Sequence, residues 1–344
     1  MFEIKLKTRT KFANLKLRKK RDLVTQQVQD SSLFNLIFKS FLKIVTLSFF
    51  GLIILIPFAY MLLLSIMGNN QAQLLQNGQA SIIPQEWNLG TNLKSASEGN
   101  GGGFWPWQAQ WQKGYLFSFL LTFSNVLLSI VLKIFITMLL GYAFSLKTWR
   151  GKNFVWFILM ALLVLPEVAL LSGQYWVTVR VKNFSKDLPG ANTAFAEFFL
   201  HLFLIAIPFV ASVFNALMFK NAFESIPTRI KEVAMIDGAI GLKYLFKIAV
   251  PMVAPTTLTI IILTTLASWN SYLWPNLVAG TDYRVMSVWL FGVGKDTTTA
   301  DERVWNNIKM AGALLVILPM FIFYFVFRKR IMGAISRQGS TIKG

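Results

Sequence analysis

The sequence predicts an all-α polytopic membrane protein with six transmembrane helices, and three observations carry that reading. First, 55% of the 344 residues are hydrophobic and only 14% are charged, where soluble domains carry about 25% charged residues. Mean hydropathy is +0.54. Second, the apolar residues gather into runs of about twenty, the length that crosses a bilayer core as a helix. Third, Lys and Arg crowd the two tails and alternate loops, the asymmetry left by membrane insertion. The net charge of +19 therefore implies no nucleic-acid partner. With no cysteine and a single histidine, disulfides, thiol nucleophiles and Cys or His metal clusters are excluded. His201 reads as a packing or interface residue.

The elements follow in order. Residues 1–43 form a basic tail, densest at Lys16, Arg18, Lys19, Lys20 and Arg21, suited to anionic lipid headgroups. Ser31 to Lys43 is expected to lie at the interface as a short amphipathic helix. The tail is longer than the n-region of a signal peptide, so the first apolar run, residues 44–67, is expected to stay as a span. Pro57 is expected to kink it. Residues 68–114 read as a long polar loop with a flexible glycine run at 99–103. Trp105, Trp107 and Trp111 follow as an interfacial belt, with sugar stacking as the alternative. Residues 115–330 hold five further spans: within 115–146, then 154–171, 195–219, 256–278 and 308–327. A mixed loop is expected over 172–194, and residues 331–344 form a short tail.

Counting Lys and Arg sets the orientation. The two tails and the loops after the second and fourth spans hold twenty-four, and the other three loops, though longer, hold eight. Both termini, and the stretch 221–255, are thus expected on the cytoplasmic side.

Two polar stripes lie within the spans. Ser118, Thr122, Asn125, Ser129, Lys133 and Thr137 recur every three or four residues and end at Gly141, which places them on one helical face. Such a face lines a solute path or packs another helix. Lys133 demands a wet or paired setting, with Glu167 as a candidate partner. Thr264, Ser268 and Ser271 form a second stripe beside Trp269 and Asn270. Hydroxyls, an amide and an aromatic ring suit a polyol, and helix packing is the other reading. No nucleotide site is present: Gly292-Val293-Gly294-Lys295 lacks the first P-loop glycine, and Asp296 stands where Ser or Thr must follow the lysine.

Between the fourth and fifth spans, Lys231 to Pro255 carries too much charge for hydrocarbon. Glu232 to Ile236 reads as helix, Asp237-Gly238 as its stop with Gly238 at positive φ, and Ala239 to Val250 as a second short helix ended by Pro251 and Pro255. A structured elbow between two spans is shaped to press on a partner. Its residues Glu232, Ala234, Asp237, Gly238, Ala239, Ile248, Pro251 and Pro255 resemble the EAA loop of ABC-importer permeases. Val233 and Leu245 depart from the usual alanine and phenylalanine, both remaining apolar, and Leu245→Phe is expected to be neutral or better. Residues 141–146 with Gly151-Lys152, then 165–168, the run Trp269-Asn270-Ser271-Tyr272-Leu273-Trp274-Pro275, Gly333 and Lys343-Gly344 extend the resemblance to the carbohydrate subfamily, of the maltose type and its second permease.

That resemblance implies the type I importer permease fold. It assigns Glu232, Ala234, Asp237, Gly238, Ala239, Ile248 and Pro251 to coupling. The chain is expected not to be an enzyme and to bind no cofactor. ATP and Mg belong to two partner ABC ATPase subunits. A second related permease, an extracytoplasmic solute-binding protein and membrane lipid complete the partners, in the plasma membrane. Trp269, Asn270, Ser271, Ser268, Thr264, Asn125, Ser129 and Lys133 are the candidates for a sugar or polyol path. Glycerol phosphate or another solute is the nearest alternative. An ion-coupled carrier or a membrane enzyme is the distant one.

Overall fold

The computed structural model describes residues 33–99, 102–146, 149–187, 193–279, 283–296 and 303–340. The basic cluster at 16–21, Asn100 and Gly101 of the 99–103 run, the side chain of Glu167 and the terminal Lys343-Gly344 lie outside the described residues. Two units are distinguished, residues 1–60 and 61–344.

In the first unit, helix α1 (Leu33–Ile66) begins and runs through Pro57. Its large apolar side chains from Ile37 to Phe58 are exposed around the whole helix, as lipid contact requires. The interfacial helix expected over 31–43 is instead, from Leu33 onward, the first part of this one helix.

The second unit holds the remaining elements. Helices α2 (Asn69–Gln76) and α3 (Leu89–Glu98) occupy the stretch expected to be a loop. They are short and polar, so no apolar period betrays them. Buried amides hold them: Asn92 Nδ2 donates to the Ser65 and Met67 carbonyls at 2.9 and 2.8 Å, and Asn307 Nδ2 donates to Asn69 Oδ1 at 2.7 Å. Gln71 pins the loop between the two helices, with Nε2 donating to the Ile83 carbonyl and Oε1 accepting from Gln85 N.

Helix α4 (Tyr115–Ser145) is the centre of this unit, packed against α7, α8, α11 and α13. Its polar stripe faces inward: Ser118, Thr122, Asn125, Ser129 and Thr137 are all buried. Leu120, Phe123, Leu127, Val131 and Phe135 face outward and are exposed. Polar inside and apolar outside is the pattern of a helix solvated by lipid.

The third apolar run is divided into α5 (Lys152–Leu162) and α6 (Glu167–Lys186). Pro166 explains the break, because proline drives the residue before it out of the α region. Leu163, Val164 and Leu165 close tight turns onto residues three back. The expected loop over 172–194 is helical as far as Lys186.

The fourth run is α7 (Ala194–Ala206) with a 3₁₀ turn at Ile207–Phe209, then α8 (Val213–Glu224), bent by 61°. The elbow comprises α9 (Thr228–Ile236) and α10 (Leu242–Met252), and α10 meets α11 (Ala254–Asn270) at 71°. Then come α12 (Leu273–Val278), α13 (Met286–Gly292), a pair of two-residue antiparallel strands, β1 (Lys295–Asp296) and β2 (Arg303–Val304), and α14 (Asn306–Ser340). Among the described residues three helices are long and apolar enough to cross a membrane, or up to five if each bent pair is one span.

Three prolines of this unit share one solution. A proline has no N–H for the carbonyl four residues before it, and a buried carbonyl left without a donor is costly. Pro208 orphans the Leu204 carbonyl, which accepts from Trp274 Nε1 at 3.1 Å. Pro319 orphans that of Leu315, which accepts from the Tyr115 hydroxyl at 3.1 Å. Pro275 orphans that of Ser271, which accepts from the Ser287 hydroxyl. Each donor comes from a different element, so each proline becomes a point where two elements are tied together.

His201 is buried in such a tie. Its Nδ1 donates to the Glu197 carbonyl at 2.8 Å, and its ring stacks on Tyr283 at 4.2 Å, whose hydroxyl donates to Glu197 Oε2 at 2.9 Å.

Candidate functional site

Where the polar face of α4 meets the broken ends of α7 and α11, a pocket of about 350 Å³ opens. Asn125, Ser129 and Lys133 line one wall. At four-residue spacing they run for about 12 Å along the helix. Ser268, Ser271, Tyr272 and Trp274 line the opposite wall, with Phe209 and Val168 closing the sides. Asn125 is 2% exposed, and its Oδ1 has no hydrogen-bond partner among the described residues. An amide oxygen so buried is costly unless something donates to it.

The sequence-predicted residues divide. Asn125, Ser129, Lys133, Ser268 and Ser271 converge on the pocket. Thr264 is buried on the same helix as Ser268 but is not part of the wall. Trp269 is buried in a cluster with Val126 and Met286, edge-on to Phe119, and Asn270 is exposed. Neither of these two lines the pocket. Two other residues of the α4 stripe have structural work. Thr122 Oγ1 accepts from Met286 N at 2.8 Å, which caps α13, and Thr137 donates to the Lys133 carbonyl. Phe209, Tyr272 and Trp274 line the pocket but were not among the path candidates read from the sequence. Pro208 and Pro275 were their signal, since both mark the helix breaks that turn these rings inward.

The second candidate site is the elbow. Helix α9 ends in a Schellman turn: Ala239 N donates to the Ala234 carbonyl at 2.8 Å, and Gly238 N to that of Met235 at 3.1 Å, with Gly238 at φ +68°. Ala234 and Ala239 are buried, as the apolar contact across this motif requires. A second positive φ, +60° at Gly241, delays the start of α10 to Leu242, three residues later than expected. Pro255 opens α11 rather than only ending its predecessor. Glu232, Asp237, Gly238 and Pro251 are exposed, and Ile248 is half-buried.

Around them stands an apolar crown of Val233, Met235, Ile236, Ile240, Leu242 and Phe246, all exposed, with Ile236 at 85%. Leu245 points the other way. It is 1% exposed and packs with Met138, Phe219, Phe223 and Ile260. A π-helical turn over Leu245–Ala249 places Leu245 inward beside the outward Phe246. Leu245→Phe is therefore expected to be harmful, not neutral: overpacking costs about 1–3 kcal/mol. Thermal unfolding of the purified chain should show a lowered midpoint.

Residues 134–337 match the family described as binding-protein-dependent transport system inner membrane component. The chain belongs to that family. It is similar along nearly its whole length to a probable ABC transporter permease of Mycoplasma pneumoniae, 40% identical over 338 residues, 96% of this chain and 97% of the relative. An arabinooligosaccharides transport system permease of Halalkalibacterium halodurans is 23% identical over 215 residues, 62% of this chain and 70% of the relative. The fold resembles a chain in the crystal structure of a bacterial ABC transporter involved in the import of the acidic polysaccharide alginate. The TM-score is 0.60 at 21% identity, over 88% of this chain and 99% of that one. The chain is thus an ABC transporter permease with the type I importer fold. The family match takes in the elbow and most of the pocket, and it begins after α2, α3 and the tryptophan loop.

Proposed function

We propose that this permease forms half of the translocation path of an ATP-driven carbohydrate importer, with both termini and the elbow in the cytoplasm. The other half is a second, related permease. Two ATPase subunits bind and hydrolyse ATP with Mg, and this chain binds neither. A solute-binding protein delivers the sugar from outside. The observation that carries this reading is the elbow, where a rigid Schellman turn holds an apolar crown in the open. An exposed patch of that kind is a docking surface. Closure of the ATPases against it tilts α8 and α11, which flank the elbow and build the core beneath it.

The pocket supplies the solute-facing surface. Asn125, Ser129, Ser268 and Ser271 offer hydroxyl and amide groups, and Tyr272 and Trp274 offer ring faces, which together suit a sugar. The arabinooligosaccharide permease and the polysaccharide importer among the similar proteins support that solute class.

The test is uptake by the reconstituted complex, offered radiolabelled oligosaccharides and sn-glycerol 3-phosphate separately. Oligosaccharide uptake is expected. Asn125→Leu should lower it about tenfold, equivalent to about 1.4 kcal/mol, while the complex assembles normally. Uptake of glycerol 3-phosphate alone would replace the solute class. Orientation is checked in the cysteine-free chain: in intact cells an impermeant thiol reagent should label Ser97→Cys and spare Ser340→Cys.

A further inference from the structure

We propose that the outer loop ahead of α4 carries a second carbohydrate-contact site, built on Trp105 and Trp107. The inference rests on the carbohydrate reading above but concerns a part of the chain outside the family match.

The two indole rings lie parallel, 4° apart with centroids at 5.1 Å, and form one slab. Trp107 is 77% exposed and Trp105 46%. A tight turn fixes the slab. Trp105 N donates to Gln108 Oε1 at 2.8 Å, and Gln108 N donates to the Trp105 carbonyl at 3.0 Å. Pro106 between them removes further freedom. The turn is locked in place by glycines that leave no room for a side chain. A Cβ on Gly99 would lie 2.7 Å from the Lys113 carbonyl oxygen, and one on Gly102 would lie 2.8 Å from that of Glu98. On Gly103 it would strike Gln108, and on Gly114 the Gly103 carbonyl. The stretch expected to be a flexible linker is, in its described residues, a close-packed knot that presents two rings.

Next to this turn is a cleft of about 490 Å³, lined by Ser95, Glu98, Gly99, Gly102, Gly103, Gln108 and Ala109. Gln108 belongs to both the cleft and the turn that fixes Trp105. A flat apolar face joined to a carboxylate, an amide and a hydroxyl is the complement of a pyranose. The C–H face of the sugar lies on the ring, and its hydroxyls reach the polar edge.

A bilayer surface fits less well. The aromatics at the start of the span are already supplied by Trp111, which packs edge-on to Phe117 at 4.8 Å, and by Tyr115. Trp105 and Trp107 stand apart from that junction, on a turn before it.

The experiment uses the assembled transporter in nanodiscs, with maltotriose and an arabinose trisaccharide as probes. Saturation-transfer NMR reads binding, and uptake reads half-saturation. Trp107→Ala is expected to weaken binding and raise the half-saturating concentration about five- to tenfold, the worth of one aromatic stacking contact. Maximal uptake should hold, because so exposed a ring leaves no core cavity when removed. Trp107→Phe should restore most of the loss, and Glu98→Gln should weaken binding without disturbing assembly. Wild-type binding and half-saturation in Trp107→Ala, with saccharide still imported, overturns this site and leaves the carbohydrate reading standing. Failure of the wild-type complex to import either saccharide or any other removes both. In a third arm, Trp107→Cys carries an environment-sensitive dye. Quenching by headgroup-level doxyl lipid would assign the slab to the membrane surface and also overturn the proposal.

Discussion

Gly141→Val is expected to prevent formation of a stable permease. A Cβ at Gly141 would lie 2.5 Å from Phe219 Cβ, 2.8 Å from the Ala216 carbonyl oxygen and 2.9 Å from Lys220 N. Two of these three atoms belong to the backbone of α8, so no rotamer change makes room. Helices α4 and α8 would have to separate, and they carry the core cluster of Met138, Phe219 and Phe223 that continues into the elbow. In a membrane the helices have no hydrophobic drive toward each other, and close approach through small residues is what holds them. The cost is expected at the upper end of overpacking, about 3 kcal/mol or more. Size-exclusion profiles and thermal unfolding in detergent are the measurements. Gly141→Ala should lie between wild type and valine. Gly90→Ala, where nothing lies within 4 Å, is the control and should be neutral. A monodisperse Gly141→Val protein with a wild-type unfolding midpoint would show that the helices do not meet there.

The elbow was legible because its determinants are local. The Schellman turn needs only an apolar helix end and a glycine, and Ala234, Asp237, Gly238 and Ala239 declare it within six residues. The polar face of α4 was equally legible as a face, but its division among three tasks was not. Ser118, Thr122, Asn125, Ser129, Lys133 and Thr137 share one helical period. Only the arrival of Met286 from 164 residues away makes Thr122 a cap, and only the breaks in α7 and α11 make Asn125 a pocket wall. The motif Trp269 to Pro275 misled in a related way. Its first tryptophan, the candidate platform, is core. Its second, Trp274, completes the Leu204 carbonyl and lines the pocket. The breaks themselves were partly visible. Pro166, Pro208 and Pro275 each stand inside or beside an apolar run, and a hydropathy window passes over a single missing N–H. The short helices α2 and α3 left no trace, since their hydrogen bonds run to residues far off in sequence.

Ile236→Asp and Gly238→Val are each expected to release the ATPase subunits from the complex while the spans still insert. Ile236 is the most exposed residue of the apolar crown, on the last turn of α9. Covering an isoleucine fully is worth about 1.5–3 kcal/mol. Aspartate forfeits that and adds a carboxylate to be desolvated, so an affinity loss of about a hundredfold, near 2.8 kcal/mol, is expected.

Gly238→Val acts through the backbone. Its Cβ would meet nothing within 4 Å in this chain, so crowding is not the cause. The cause is φ +68°, where a β-branched residue costs about 1–2 kcal/mol. The turn can relax only by giving up the bonds from Ala239 N and Gly238 N, and the crown then loses the fixed relation between Met235 and Ile236 on one side and Ile240 and Leu242 on the other. Gly238→Asn, which tolerates left-handed backbone better, should recover part of the loss, and Glu232→Ala should fall between wild type and these variants. Co-purification of the ATPase subunits and solute-stimulated hydrolysis in the reconstituted complex are the readouts. Wild-type values for both Ile236→Asp and Gly238→Val would falsify the coupling role of the elbow, because a docking surface cannot take a buried charge and lose its turn without loss of its partner.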